Sequence, residues 1–165
     1  MAAHAYVAFQ QGAPAVLFSA FFSGLSAASS EPQSQRAARL VASVSPAWTF
    51  SRQAAARHRA ERGVVPVREG DETRVAVWHA AANVCHVVVC EPSANVELAL
   101  NFLQVFAAVL ADHCKGGAME TFLVKPDEAM VLLGKFLPLG RFLVLTSALA
   151  KDLKQESDMI ILDKK

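Results

Sequence analysis

The sequence predicts an α/β domain: one antiparallel sheet of five strands, covered by helices on both faces. Three observations carry this expectation. Short apolar runs of strand character recur at His4 to Gln10, Ala15 to Phe22, Val64 to Arg68, Thr73 to His79 and Val84 to Cys90, separated by turn residues. In the last two runs both parities are apolar, Val75 and Val77 against Ala76 and Trp78, then Cys85, Val87 and Val89 against His86, Val88 and Cys90. A sheet with one wet face alternates polar and apolar, so this one needs cover on both sides. Third, beyond Glu91 to Val96 the apolar period changes from two to about 3.6, the mark of a helix.

The first two runs flank Gln11-Gly12-Ala13-Pro14 and form a hairpin. From Ser34 a helical pattern places Ala37, Leu40, Val41, Val44 and Trp48 on one face, with Pro46 either kinking the helix or opening a second one after Ser45. Gly63 is expected to end this helix. Three strands follow as a meander, with short turns at Gly70-Asp71 and Ala81-Ala82-Asn83. The helix after Asn95 sets Leu98, Phe102, Val105, Phe106 and Val109 against Glu97, Asn101 and Gln104, and Lys115-Gly116-Gly117 stops it. Met119 to Val124 reads as extended or irregular. Pro126, Asp127 and Glu128 suit a helix first turn, and Met130, Leu133 and Leu137 are expected to point inward. Thr146 or Ser147 caps a final helix through Leu153. The order is β-β-α-β-β-β-α-α plus a short C-terminal helix, with residues 1–158 as one domain and 159–165 as a tail.

Of the 165 residues 53% are apolar and 19% charged, enough for one core, and a net charge of +1 argues against a nucleic-acid reader. The three cysteines, Cys85, Cys90 and Cys114, have no C-x-x-C spacing and read as buried thiols. No apolar run reaches the roughly 20 residues of a membrane span. Ala13 to Ala28 has the apolar character of a signal peptide, but no Lys or Arg precedes it, and it reads as a strand and a Gly/Ser turn.

Catalytic chemistry is hard to assemble from these residues. With the turn spanning residues 80 to 83, His79 faces Val84 and His86 faces Val77; both histidines and Cys90 share a face, but the offset is too large for zinc. There is no G-x-S-x-G, P-loop or G-x-G-x-x-G, and Gly116-Gly117 follows a helix instead of opening one. The expectation is a non-enzyme with no metal, cofactor or small-molecule substrate.

The order hairpin, long helix, three-strand meander, long helix, shorter helices resembles the longin (profilin-like) domains of membrane-traffic proteins. Asn95-Val-Glu-Leu-Ala, Phe102-Leu-Gln-Val-Phe and Val109-Leu110, followed by Lys135-Phe-Leu-Pro-Leu-Gly140, resemble the small (sigma) subunits of heterotetrameric adaptor complexes. RVAVWHA, GKFLPLGRFLVL and LAKDLKQE look most like the small subunit of the fifth adaptor-protein complex, over Thr73 to Glu156. The resemblance implies a scaffold subunit that packs into a large subunit's helical solenoid. It would work in the cytoplasm, peripherally on late endosomal or lysosomal membranes and with only indirect membrane contact. Some sigma subunits bind acidic dileucine signals through basic residues near the first hairpin; Gln10 to Pro14 contains none, so no cargo residues carry over. A second reading is a longin module of a tethering complex or of a small-GTPase exchange factor; a third, a secreted protein, rests on residues 13–28.

Partner contacts are sought among large apolar groups near element boundaries, Phe21, Phe22, Trp48 and Phe50, and in the basic run Arg52, Arg57, Arg59 and Arg62, most of which are expected on one side of a helix. That face suits an acidic solenoid or lipid headgroups.

Overall fold

The computed structural model describes residues 2–11, 15–22, 31–54, 62–69, 71–114 and 117–163. Five strands, β1 (Ala3–Gln10), β2 (Val16–Phe21), β3 (Arg62–Glu69), β4 (Glu72–Ala81) and β5 (Val84–Cys90), form one antiparallel sheet in the order β2-β1-β5-β4-β3. The helices are α1 (Gln33–Ala54), α2 (Val96–His113), α3 (Gly117–Val124), α4 (Pro126–Phe136) and α5 (Ser147–Asp163), with a 3-10 turn at Pro138–Gly140.

Strand parity decides the layers. Ala5, Val7, Phe9, Ala76, Trp78, Cys85, Val87 and Val89 pack under Ala37, Leu40, Val41 and Val44 of α1. Tyr6, Ala8, Val77, Val88 and Cys90 pack under α2, α3 and α4, whose Phe102, Phe106, Phe122 and Phe136 join the same core. Central β5 is therefore buried at every position. The doubly covered sheet read from the two parities is the architecture observed.

Several local expectations are corrected. α1 is one helix with Pro46 inside it. Gly63 does not end a helix but sits in β3 opposite Trp78, whose indole occupies the space of a missing side chain. The β4–β5 turn is Ala82-Asn83 alone, with both residues at positive φ (46° and 67°), so Ala81 pairs with Val84 and His79 pairs directly with His86. Met119 to Val124, expected to be extended or irregular, belong to α3, which opens at Gly117. The buried stripe of α4 is Ala129, Leu132, Leu133 and Phe136, at i, i+3, i+4 and i+7, which turns Met130 outward at 48% exposure. α5 runs beyond Leu153 to Asp163, and Ile161, expected in the tail, is buried.

α2 is positioned by Asn95, whose side chain accepts from the Leu98 N–H at 3.2 Å. It has the length and composition of a membrane span, yet Ala99, Phe102, Leu103, Phe106, Ala107 and Leu110 are packed within the domain. This stripe is rotated from the one expected, leaving Leu98, Val105 and Val109 half-buried. At the other end of the chain Thr146 caps α5, accepting from the Leu149 N–H at 3.2 Å.

Candidate partner-binding surface

The sheet centre is chemically quiet. His86 is fully buried, and its Nδ1 lies 2.7 Å from the Tyr6 hydroxyl; burial first, and His79 second, lower its pKa to about 3, so the ring is neutral at pH 7. Burial also pushes the Cys85 thiol far up and the Cys90 thiol to about 12, which removes the thiolate that reactivity needs. Among the described residues no three His, Cys, Asp or Glu side chains are grouped to hold a metal.

The residues singled out from the sequence scatter. Phe21, at the end of β2, packs on the α1 side of the sheet, with the Arg36 guanidinium 4.5 Å from its ring centroid. Phe22 packs on the opposite side against Gly140, where a Cβ would approach its Cγ to 2.9 Å. Trp48, Phe50 and Arg52 lie within α1, but their side chains fall outside the described residues, as do Arg57 and Arg59 entirely. Arg62, expected on the helix, opens β3 instead and is exposed opposite His79. The structure therefore brings no common patch together from this set among the described residues.

A charged cluster that sequence reasoning missed ties α1 to the sheet. Arg36 Nη2 donates to Glu69 Oε1 at 3.1 Å, Arg74 Nε lies 3.4 Å from Glu69 Oε2, and Arg74 also pairs with Glu72. Arg36, Glu69 and Arg74 are all buried, so the carboxylate offsets two guanidinium groups that water does not reach. The signal was present: Glu69 and Arg74 fall in phase with inward-facing Val67 and Ala76.

Apolar side chains stand outward mainly on the helical side. Leu123, Val124, Met130, Leu139, Val144, Met159 and Leu162 are all exposed. Between α2 and α5 runs a groove of about 410 Å³, lined by Asn101, Val105, Val109, Leu145 and Ala150, with Asp112 and Lys154 at its rim. A second hollow of about 440 Å³ lies where Val124, Pro126 and Val131 meet Ile161.

The family model for "AP-5 complex subunit sigma-1" matches residues 26–158. The chain belongs to the AP-5 sigma-1 family. Comparison with curated protein sequences finds no match. Among solved structures, the chain is similar to one in "Homology model of the full-length AP-3 complex in a stretched open conformation". The TM-score is 0.68 at 11% identity, covering 98% of this chain and 94% of that one. At that identity the likeness shows the fold alone.

For a member of the AP-5 sigma-1 family the quiet sheet centre and the outward apolar groups belong together. Adaptor complex subunits are not an enzyme class. The family match begins at residue 26, yet β1 lies between β2 and β5 in the sheet, so the N-terminal hairpin is part of the same folded unit.

Proposed function

We propose that this adaptor small subunit seats on a large helical-solenoid subunit of the AP-5 complex, without catalysis of its own, and that the assembly acts in trafficking at late endosomal or lysosomal membranes. The family match over residues 26–158 carries the reading. The exposed Leu123, Val124, Met130, Met159 and Leu162 of α3, α4 and α5 support it as apolar side chains that a partner would bury. Trp48 and Phe50 are proposed as apolar contacts that a partner buries, and Arg52, Arg57, Arg59 and Arg62 as contacts for an acidic partner surface.

Affinity purification of the tagged chain from cells, with identification of co-purifying proteins, tests the assembly. Large AP-5 subunits should be recovered in near-stoichiometric amount. Co-staining with lysosomal and early-endosomal markers tests the location; a signal confined to early endosomes or to the secretory pathway contradicts it.

A further inference from the structure

We propose that α5 is a charge-latched strap: it swings off α2 and α4 as one helix, hinged after Leu145, while the sheet and the other helices stay folded. The proposal stands on the packing of this chain alone.

Apolar burial holds α5 weakly. Of its 17 residues Ala150, Ser157 and Ile161 are buried, and Ile161 is the one large apolar side chain among them. The shorter α4 buries Ala129, Leu132, Leu133 and Phe136 almost completely. Leu149, Leu153 and Ile160 of α5 are half-buried, and Met159 and Leu162 are exposed. The helix packs on α4 and stands off α2, with the groove of about 410 Å³ between them. An element with so few buried apolar contacts opens at a lower free energy than the core it rests on.

What spans the gap is charge. Lys154 Nζ lies 3.9 Å from Asp112 of α2, and His113 Nδ1 lies 3.7 Å from Asp158 Oδ1. Toward α4, Lys135 Nζ donates to Glu156 Oε2 at 2.9 Å. The side chains of Asp112 and Glu156 are 79% and 51% exposed, and pairs in such positions are weak singly and screened by salt. His113 Nε2 is 2.8 Å from Glu128, which Lys125 approaches to 3.3 Å, so the junction of α2 with α4 keeps its own pairing when α5 leaves.

The helix carries its internal ties with it. Thr146 caps its first turn, Lys154 Nζ donates to Asp158 Oδ2 at 3.1 Å, and Ser157 Oγ donates to the Leu153 carbonyl at 2.8 Å. Residues 142–146 form neither helix nor strand. Phe142 is held against Phe102, with ring centroids 5.7 Å apart, and Leu145 is buried, so the freedom begins after Leu145. Release bares Val105 and Val109 of α2 and Val131 beside Ile161; the latch therefore sets how much apolar face the chain presents.

The test is native-state hydrogen exchange of the full chain, read peptide by peptide by mass spectrometry. Amides of α5 are expected to exchange at least tenfold faster than those of α2 and α4, and faster still when salt is raised. Asp158→Asn, which removes the contacts with His113 and Lys154, and Glu156→Gln, which removes the pair with Lys135, are each expected to speed exchange in α5 severalfold and to leave α2 and α4 at wild-type rates. Asp152→Asn, at an exposed position of α5 in no ion pair among the described residues, should exchange as wild type. Equal rates in α5 and α4 would overturn the strap, as would Asp158→Asn and Glu156→Gln speeding α2, α4 and α5 together, the mark of one cooperative unit. Fast exchange in α5 that ignores salt and both substitutions would overturn the charge latch.

Discussion

Gly63 lies against the face of Trp78. The two residues pair across β3 and β4, and a Cβ at residue 63 would stand 2.7 Å from two indole atoms and 2.8 Å from a third. The indole is buried and fills the α1 side of the sheet, so it has little room to give way. Gly63→Ala is therefore expected to destabilise the domain by about 1–3 kcal/mol through overpacking, as read by urea unfolding of the isolated chain. An unchanged unfolding midpoint would show that the ring relocates at no cost.

Gly140 provides a second steric test, with a built-in comparison. Both Gly117 and Gly140 have positive φ, at 78° and 79°, but only at Gly140 would a Cβ meet a neighbour, the Ala3 carbonyl oxygen at 2.5 Å. Gly117→Ala is expected to cost roughly 1 kcal/mol, the backbone term alone, and Gly140→Ala clearly more. Equal melting temperatures for the two variants would contradict the close approach of the Pro138–Gly140 turn to β1.

Much of this architecture is legible in the sequence because burial on both faces writes an uninterrupted apolar run, as in Val84 to Cys90. The Asn95 cap marks the start of α2 in the same way. Other features are illegible for particular reasons. Gly63 has the look of a helix stop because nothing local shows that a tryptophan fifteen residues later needs its empty side-chain position. α3 opens at Gly117 and is only eight residues long, too short for period to separate it from an extended run. The His79–His86 pairing depends on Ala82 adopting the left-handed conformation that alanine seldom takes. The partner residues scatter because exposure was inferred from size and position, whereas Phe21 and Phe22 each meet a partner from a distant part of the chain, Arg36 and Gly140.

Glu69 is the hinge of charge balance between α1 and the sheet. Glu69→Gln keeps its shape but leaves Arg36 and Arg74 buried without their shared carboxylate, at an expected cost of about 3–5 kcal/mol. Glu72, whose side chain is 65% exposed, also pairs with Arg74, yet Glu72→Gln should cost no more than about 1 kcal/mol. Denaturant midpoints of the two variants measure the contrast, and comparable losses would show that the buried carboxylate holds nothing together.

Acid should destabilise the fold through His86. Its pKa of about 3 in the folded protein lies below the unfolded value of 6.5, so between these values the unfolded chain binds a proton that the native chain does not. This group's contribution is fully present well above pH 6.5 and is lost as pH drops toward 3, with a slope approaching about 1.4 kcal/mol per pH unit. His4, whose pKa is lowered by burial and then by Arg74, acts in the same direction. His86→Gln should lose about one proton from the slope of unfolding free energy against pH; an unchanged slope would assign the acid sensitivity elsewhere.

The most direct measurement of the central claim is co-expression of the chain with the large subunits of the AP-5 complex, followed by size-exclusion chromatography with mass determination. The chain is expected to elute with a large subunit at one copy each. Elution as a free, monodisperse 17.7 kDa monomer beside a correctly folded large subunit would contradict its role as an adaptor small subunit.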